Sequence, residues 1–142
     1  MAKRIRVILD TNWYISATIN KNSRRTLYGI LKNKNIVILF SDEIFKEYNQ
    51  VITRNKFKSI ITAHQVTRFM NLVISKVEII GISTNIEGSR DPKDNFLLSL
   101  SNDNNVDYLI TGDLDLLILK KIGKTTILLL QDFLTIISHK TL

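Results

Sequence analysis

Ile5-Arg6-Val7-Ile8-Leu9-Asp10-Thr11-Asn12 is the stretch that decides the fold. Apart from Arg6, Ile5 to Leu9 is short, apolar and β-branched, as a strand covered on both faces must be, and it stops at a carboxylate. Ile36 to Phe40 has the same character, and Val77 to Ile82, Asp107 to Ile110 and Thr126 to Leu130 resemble it. Helical patterns lie between these runs. Ser23 to Asn33 carries Leu27, Ile30 and Leu31 on one stripe, and Ser41 to Arg54 carries Ile44, Tyr48, Val51 and Ile52. Thr62 to Lys76 and Pro92 to Ser101 are two more, followed by a short turn of helix from Leu114 and a last helix from Gln131. Strands alternating with helices predict the α/β class, a parallel sheet with helices on both faces.

The chain has 142 residues, which suits one domain over 1–142, and its hydrophobic fraction of 44% can supply a core. There is no cysteine, so disulfides and thiolate metal sites are excluded, in keeping with a reducing, cytoplasmic setting. No secretory signal is expected, because only Val7, Ile8 and Leu9 follow the basic start before Asp10 ends the apolar run. No membrane span is expected in Leu114 to Leu130 either, since Asp115, Lys120, Lys121, Gly123 and Lys124 interrupt it. The net charge of +7 favours polyanionic partners, although surface lysines can also serve only to solvate.

Acidic residues fall where such a sheet binds ligands, outside the carboxyl ends of its strands. Asp10 ends the first strand and Asp113 follows the fourth, in Thr111-Gly112-Asp113, about a hundred residues later. Each alone could serve as a cap or turn residue. Glu47, on the second helical pattern, stands at the edge of the stripe between Ile44 and Val51. Glu43, one turn earlier, is its rival, but with Asp42 it is accounted for as favourable charge in the first turn after an N-cap at Ser41. In Asp91-Pro92-Lys93-Asp94, Asp91 suits the N-cap, Pro92 the first helical position, and Asp94 is the better candidate for the site. Four converging carboxylates repel unless cations hold them, and oxygen-only ligands select Mg²⁺ or Mn²⁺. An ion so held can activate water and steady the leaving oxygen of a phosphodiester.

Val7-Ile8-Leu9-Asp10-Thr11-Asn12 resembles the opening motif of PIN domains. Ser-Asp-Glu-Ile-Phe-Lys-Glu, 41 to 47, resembles the helix with that family's second acid. Asp91-Pro92-Lys93-Asp94-Asn95-Phe96-Leu97-Leu98 resembles its third motif, and Asp107 to Leu117, with Thr111-Gly112-Asp113 at its centre, resembles the fourth. The motifs come in the family's order and span nearly the whole chain. The resemblance implies a three-layer α/β/α sandwich with a parallel sheet in the order 3-2-1-4-5. It implies an Mg²⁺- or Mn²⁺-dependent endoribonuclease acting on single-stranded RNA, with Asp10, Glu47, Asp94 and Asp113 as metal-site and catalytic residues. Asn12 and Thr111 inherit supporting hydrogen-bond roles, with turn formation as the alternative, and Asp115 is either an outer acid of the site or, the preferred reading, a surface turn acid. Small free-standing members are commonly VapC-like toxins of type II toxin–antitoxin systems, so the resemblance also implies RNA, a cognate antitoxin and a second copy of the chain as partners. Ser101 stands where relatives often carry Ala, a difference of packing. Family members also serve in RNA processing and decay, and some are inactive binding modules.

Other chemistries fit less well. A phosphatase working through an aspartyl-phosphate needs a second Asp two positions after the first, where this chain has Asn12, and a receiver-type signalling domain wants acids clustered before the first strand ends. His64 and His139 are isolated. Trp13 is read as packing beside the site rather than as a base-stacking platform. Arg24-Arg25, Arg54 with Lys56 and Lys58, and Lys120-Lys121 with Lys124 are candidate contacts to RNA or an acidic antitoxin segment, or else solvated surface.

Overall fold

A computed structural model describes residues 3–82 and 95–139. Its elements in chain order are β1 (Ile5–Leu9), α1 (Thr11–Ile19), α2 (Lys21–Lys32), β2 (Ile36–Ser41), α3 (Asp42–Ile52), α4 (Asn55–Lys58), α5 (Ala63–Ile74) and β3 (Glu78–Ile80). After the undescribed segment come α6 (Asn95–Asp103), β4 (Tyr108–Ile110), α7 (Leu114–Leu117), β5 (Lys121–Ile122), β6 (Thr125–Leu128) and α8 (Leu130–His139).

The strands form a mostly parallel sheet in the order β3-β2-β1-β4-β6-β5. Its five parallel strands follow the expected order, with β6 as the fifth. The correction is at the edge, where β5 pairs antiparallel to β6. This strand is two residues long, too short to leave a pattern in the sequence. Its turn onto β6 places Gly123 at φ +56°, the first central position of a two-residue hairpin loop, where glycine meets no steric cost.

The apolar runs became the centre of the sheet. Val7, Ile8 and Leu9 of β1 are buried, as is every residue of β2. Each of the apolar side chains among them stabilises the fold by roughly 1.5–3 kcal/mol. The edge strand β3 is shorter than the expected Val77 to Ile82 and largely exposed. Helices flank the sheet. Tyr14 of α1 meets Phe40 of β2 edge-on at 5.1 Å between ring centroids, and Phe133 of α8 meets Tyr108 of β4 at 5.4 Å.

Helix starts carry the signals that chain chemistry supplies. Ser41 accepts from the Ile44 amide at α3, and Thr62 forms a capping box with Gln65 at α5. The helix expected from Pro92 is described from Asn95, and its start lies outside the described residues. Sequence periodicity missed α1, whose residues Thr11, Tyr14, Ile15, Ala17 and Thr18 are buried. A helix packed on several sides has no polar face to produce an amphipathic stripe. The four-residue α4 was missed too, for want of length. Strand registry brings Leu9 beside Ile110 and Ile8 beside Leu39, so β1, β2 and β4 end along one edge of the sheet.

Candidate active site

Asp10 is the first residue past β1, and its backbone amide continues the ladder by donating to the Ile110 carbonyl at 2.9 Å. The side chain is buried, with 6% of its surface exposed, at the start of α1. The Thr111 hydroxyl donates to its Oδ2 at 2.6 Å across 101 residues of sequence. Burial pushes the Asp10 carboxyl above the usual carboxylate range. The Thr111 hydrogen bond and the nearby Asn12 and Thr11 amides oppose that rise, although neither amide forms a completed cap, while the negative charge of Asp113 adds to it. Among the described residues no Lys or Arg is a cause opposing the rise at Asp10.

The β4 side of the site is built by three consecutive hydrogen bonds. The Thr111 amide donates to the Leu128 carbonyl at 3.0 Å, so β6 fixes the backbone at the point where β4 ends. The fully buried Thr111 hydroxyl then accepts from the Asp113 amide at 3.0 Å while donating to Asp10. Asp113 Oδ1 in turn accepts from the Asp115 amide at 2.8 Å, capping the short helix α7. The cap role and the site role of Asp113 therefore coexist, one oxygen being engaged in the cap. Asp115 is half-buried and meets Asp113 through its backbone amide.

The other expected residues stand as follows. Asn12 is exposed and Trp13 half-buried against the core. Glu47 is half-buried on α3, whose buried face is Ile44, Tyr48 and Ile52. Glu43, which the sequence explains as first-turn charge, has an Oε1 buried without a hydrogen-bond partner among the described residues. A purely solvating acid would not sit this way. Asp94 and its neighbour Asp91 lie outside the described residues. Among the described residues no three His, Cys, Asp or Glu side chains converge to hold a metal, so what stands together is the Asp10–Asp113 pair.

That pair fits a divalent cation by its chemistry. Its donors are hard carboxylate oxygens that repel each other, the Asp10 carboxyl is desolvated, and among the described residues no Lys or Arg counters the charge at Asp10. Thr111, to which the resemblance gave a supporting role, is the positioning residue: its hydroxyl joins the Asp10 carboxylate to the Asp113 backbone amide, a contact that sequence spacing alone does not specify.

A family model described as PIN domain matches residues 6–115. The Methanocaldococcus jannaschii protein MJ1680, itself uncharacterised, is 28% identical over 123 residues, covering 85% of this chain and 79% of the relative. Among solved structures, VapBC2 from Rickettsia felis, bound to a DNA fragment from its promoter, superposes with a TM-score of 0.56 at 20% identity, covering 87% of this chain and 97% of that one. PAE2754 from Pyrobaculum aerophilum superposes with a TM-score of 0.62 at 12% identity, covering 96% and 91%. Both share the fold. With the matched residues running from β1 through Asp10, Thr111 and Asp113 into α7, the chain belongs to the PIN-domain family, a family of nucleases.

Proposed function

We propose that this protein is a divalent-metal-dependent endoribonuclease that hydrolyses single-stranded RNA. The observation that carries the proposal is the pair of buried Asp10 and half-buried Asp113, tied through Thr111 at the carboxyl edge of the sheet in a PIN domain. Asp10 and Asp113 would hold Mg²⁺ or Mn²⁺, with Glu47 and Asp94 completing the set and Asn12 and Asp115 in support. Bound there, the ion supplies activation of water and neutralisation of charge on the departing oxygen. Thr111 keeps the Asp10 carboxylate in one orientation through its hydroxyl. Neither His64 nor His139 lies in a motif of the site, so attack by the RNA's own 2′-hydroxyl under a histidine pair has no residues to perform it.

The natural setting proposed is the toxin half of a type II toxin–antitoxin pair in the cytoplasm, with a cognate antitoxin covering the site and a second copy as dimer partner. The PIN-domain match and a fold shared with a VapBC structure support it. No helix among the described residues is long and apolar enough to cross a membrane.

The test is a labelled RNA pool incubated with purified protein and Mn²⁺, with Asp10→Asn prepared in parallel. Products should carry 5′-phosphate and 3′-hydroxyl ends, and both EDTA and Asp10→Asn should lower cleavage by at least about a hundredfold. Cleavage that survives EDTA, leaves 2′,3′-cyclic phosphates or persists in Asp10→Asn would overturn the mechanism. Toxicity on expression, relieved by the neighbouring small reading frame, separates a toxin from an RNA-processing enzyme.

A further inference from the structure

Away from the acidic edge, α2 and α5 enclose a groove of opposite charge. One part, of about 460 Å³, is lined by Arg24, Tyr28, Arg68 and Phe69 among others. A second, of about 470 Å³, runs along α2 past Lys21, Arg24, Arg25, Tyr28 and Lys32. Arg24 and Tyr28 line both, so the two parts adjoin at these side chains. Neither helix contains an acidic residue. Among the described residues no carboxylate forms an ion pair with any of these cations.

The groove is also ordered in a way that a merely solvated face is not. Arg24 Nη1 donates to the carbonyls of Ala17 and Thr18 at 3.2 and 2.9 Å, at the end of α1. Its guanidinium is therefore already fixed, and little rotamer entropy remains to be lost on binding an anion. At the floor, Tyr28 is half-buried and stacks with Phe69, ring centroids 6.5 Å apart and planes at 28°. Lys21, Arg25 and Arg68 stand exposed around it.

We infer that this groove is a binding track for single-stranded RNA, with phosphates against Arg24, Arg25, Lys21 and Arg68 and a base laid on Tyr28. The combination of a cationic channel with an aromatic platform is what sequence-tolerant strand binding requires, whereas an acidic peptide would use the cations and leave the ring idle. The inference rests on RNA being the substrate. It adds where, outside the acidic edge, the strand is held. Helix α1 joins the two places, starting beside Asp10 and ending under Arg24, a rise of about 13 Å over its nine residues. A strand held along the groove would offer its continuation to the carboxylates, which by themselves repel phosphates.

The experiment uses the full chain carrying Asp10→Asn, in EDTA, so that binding is read without cleavage. Fluorescence anisotropy with a labelled unstructured RNA is measured over a salt series. Neutralising Lys21, Arg25 and Arg68 together to Gln should weaken binding at least tenfold and flatten the dependence of log K on log salt by about 2, since each lost single-strand contact removes about 0.7. Tyr28→Leu should weaken binding about tenfold with the salt slope unchanged. Changing Lys120, Lys121 and Lys124 to Gln removes the same charge elsewhere and should do much less. Equal effects of the two triple variants would overturn the inference. So would a poly-glutamate peptide that competes as well as RNA of equal charge while Tyr28→Leu is neutral, which would assign the groove to an acidic protein. Labelled DNA of the same sequence reports whether the sugar is read, and DNA binding with RNA excluded also overturns it. The nuclease proposal fails separately: unimpaired binding through the groove with no cleavage in Mn²⁺ refutes the enzyme and leaves the groove.

Discussion

The acidic edge and the α2–α5 groove differ in how the protein holds charge. At the edge, Asp10 and Thr111 are buried and fixed by the ends of paired strands, so their geometry follows from the sheet ladder and cannot drift without breaking it. In the groove most charges ride on long exposed side chains, and only Arg24 is fastened, to the backbone at the end of α1. Positions that must be held to a fraction of an ångström are made from short side chains on a rigid frame, while attraction over distance tolerates flexible ones. Conservative changes should therefore be severe at the edge, and charge counting should matter more than position in the groove.

The largest effects sharpen this contrast within the acids themselves. Glu47→Gln and Asp94→Asn should each reduce RNA cleavage by about a hundredfold or more with the fold intact by circular dichroism, since each would withdraw a negative charge from the ion's surroundings. Asp91→Asn should be mild, because Asn caps a helix as well as Asp. Glu43→Gln is the informative comparison. Its buried Oε1 lacks a partner among the described residues, so a loss of cleavage equal to that of Glu47→Gln would move the α3 contribution one turn back along the helix.

Thr111 comes next, because it joins the two acids. Thr111→Val keeps the shape but removes the donor to Asp10 Oδ2 and the acceptor for the Asp113 amide. Loss of such a supporting hydroxyl should cut Mn²⁺ affinity and cleavage by about 10- to 100-fold. Thr111→Ser should restore most of both. Titration of Mn²⁺ against activity for the three proteins provides the check. A Val variant with unchanged metal dependence would mean that the pair is positioned by the backbone alone.

Much of the frame was legible in the sequence because burial on both faces leaves continuous apolar runs: Ile5 to Leu9 and Ile36 to Phe40 could hardly be anything else. The parallel order of five strands came from the PIN resemblance, and the carboxyl-edge position of Asp10 and Asp113 from their places after strands. What was illegible was short or buried all round. The strand β5 has two residues, and α1 hides most of its surface, so neither has a periodicity to read. Nor could spacing reveal that Thr111 contacts Asp10, because such a contact depends on register between strands distant in sequence. Glu43 does stand in the first turn of α3 as the sequence suggests, but the burial of its Oε1 depends on packing that helix position alone does not reveal.

The smallest expected effect is on stability, and its sign is the point. Burial and Asp113 hold the Asp10 carboxyl above its ordinary pKa, so the folded protein binds that proton more tightly than the unfolded chain does. The ionisation penalty is absent below the usual carboxylate range, grows as pH rises from that range toward the raised folded value, and is constant above it. Asp10→Asn removes the penalty while its side-chain oxygen can still accept from Thr111. In EDTA at pH 7 the variant should therefore melt higher than the wild type, by on the order of a few degrees, and the gap should close as the pH falls below about 4. Mn²⁺ should reverse the order. An ion that binds only the folded wild type adds about 2.7 kcal/mol at a hundredfold excess over its Kd, whereas the Asn variant has lost a ligand and gains little. Melting both proteins across pH, with and without Mn²⁺, gives four curves that must cross in this pattern. If the wild type is the more stable in EDTA at pH 7, Asp10 is not an anion held against its own burial, and the case for a cation at this edge loses its electrostatic basis.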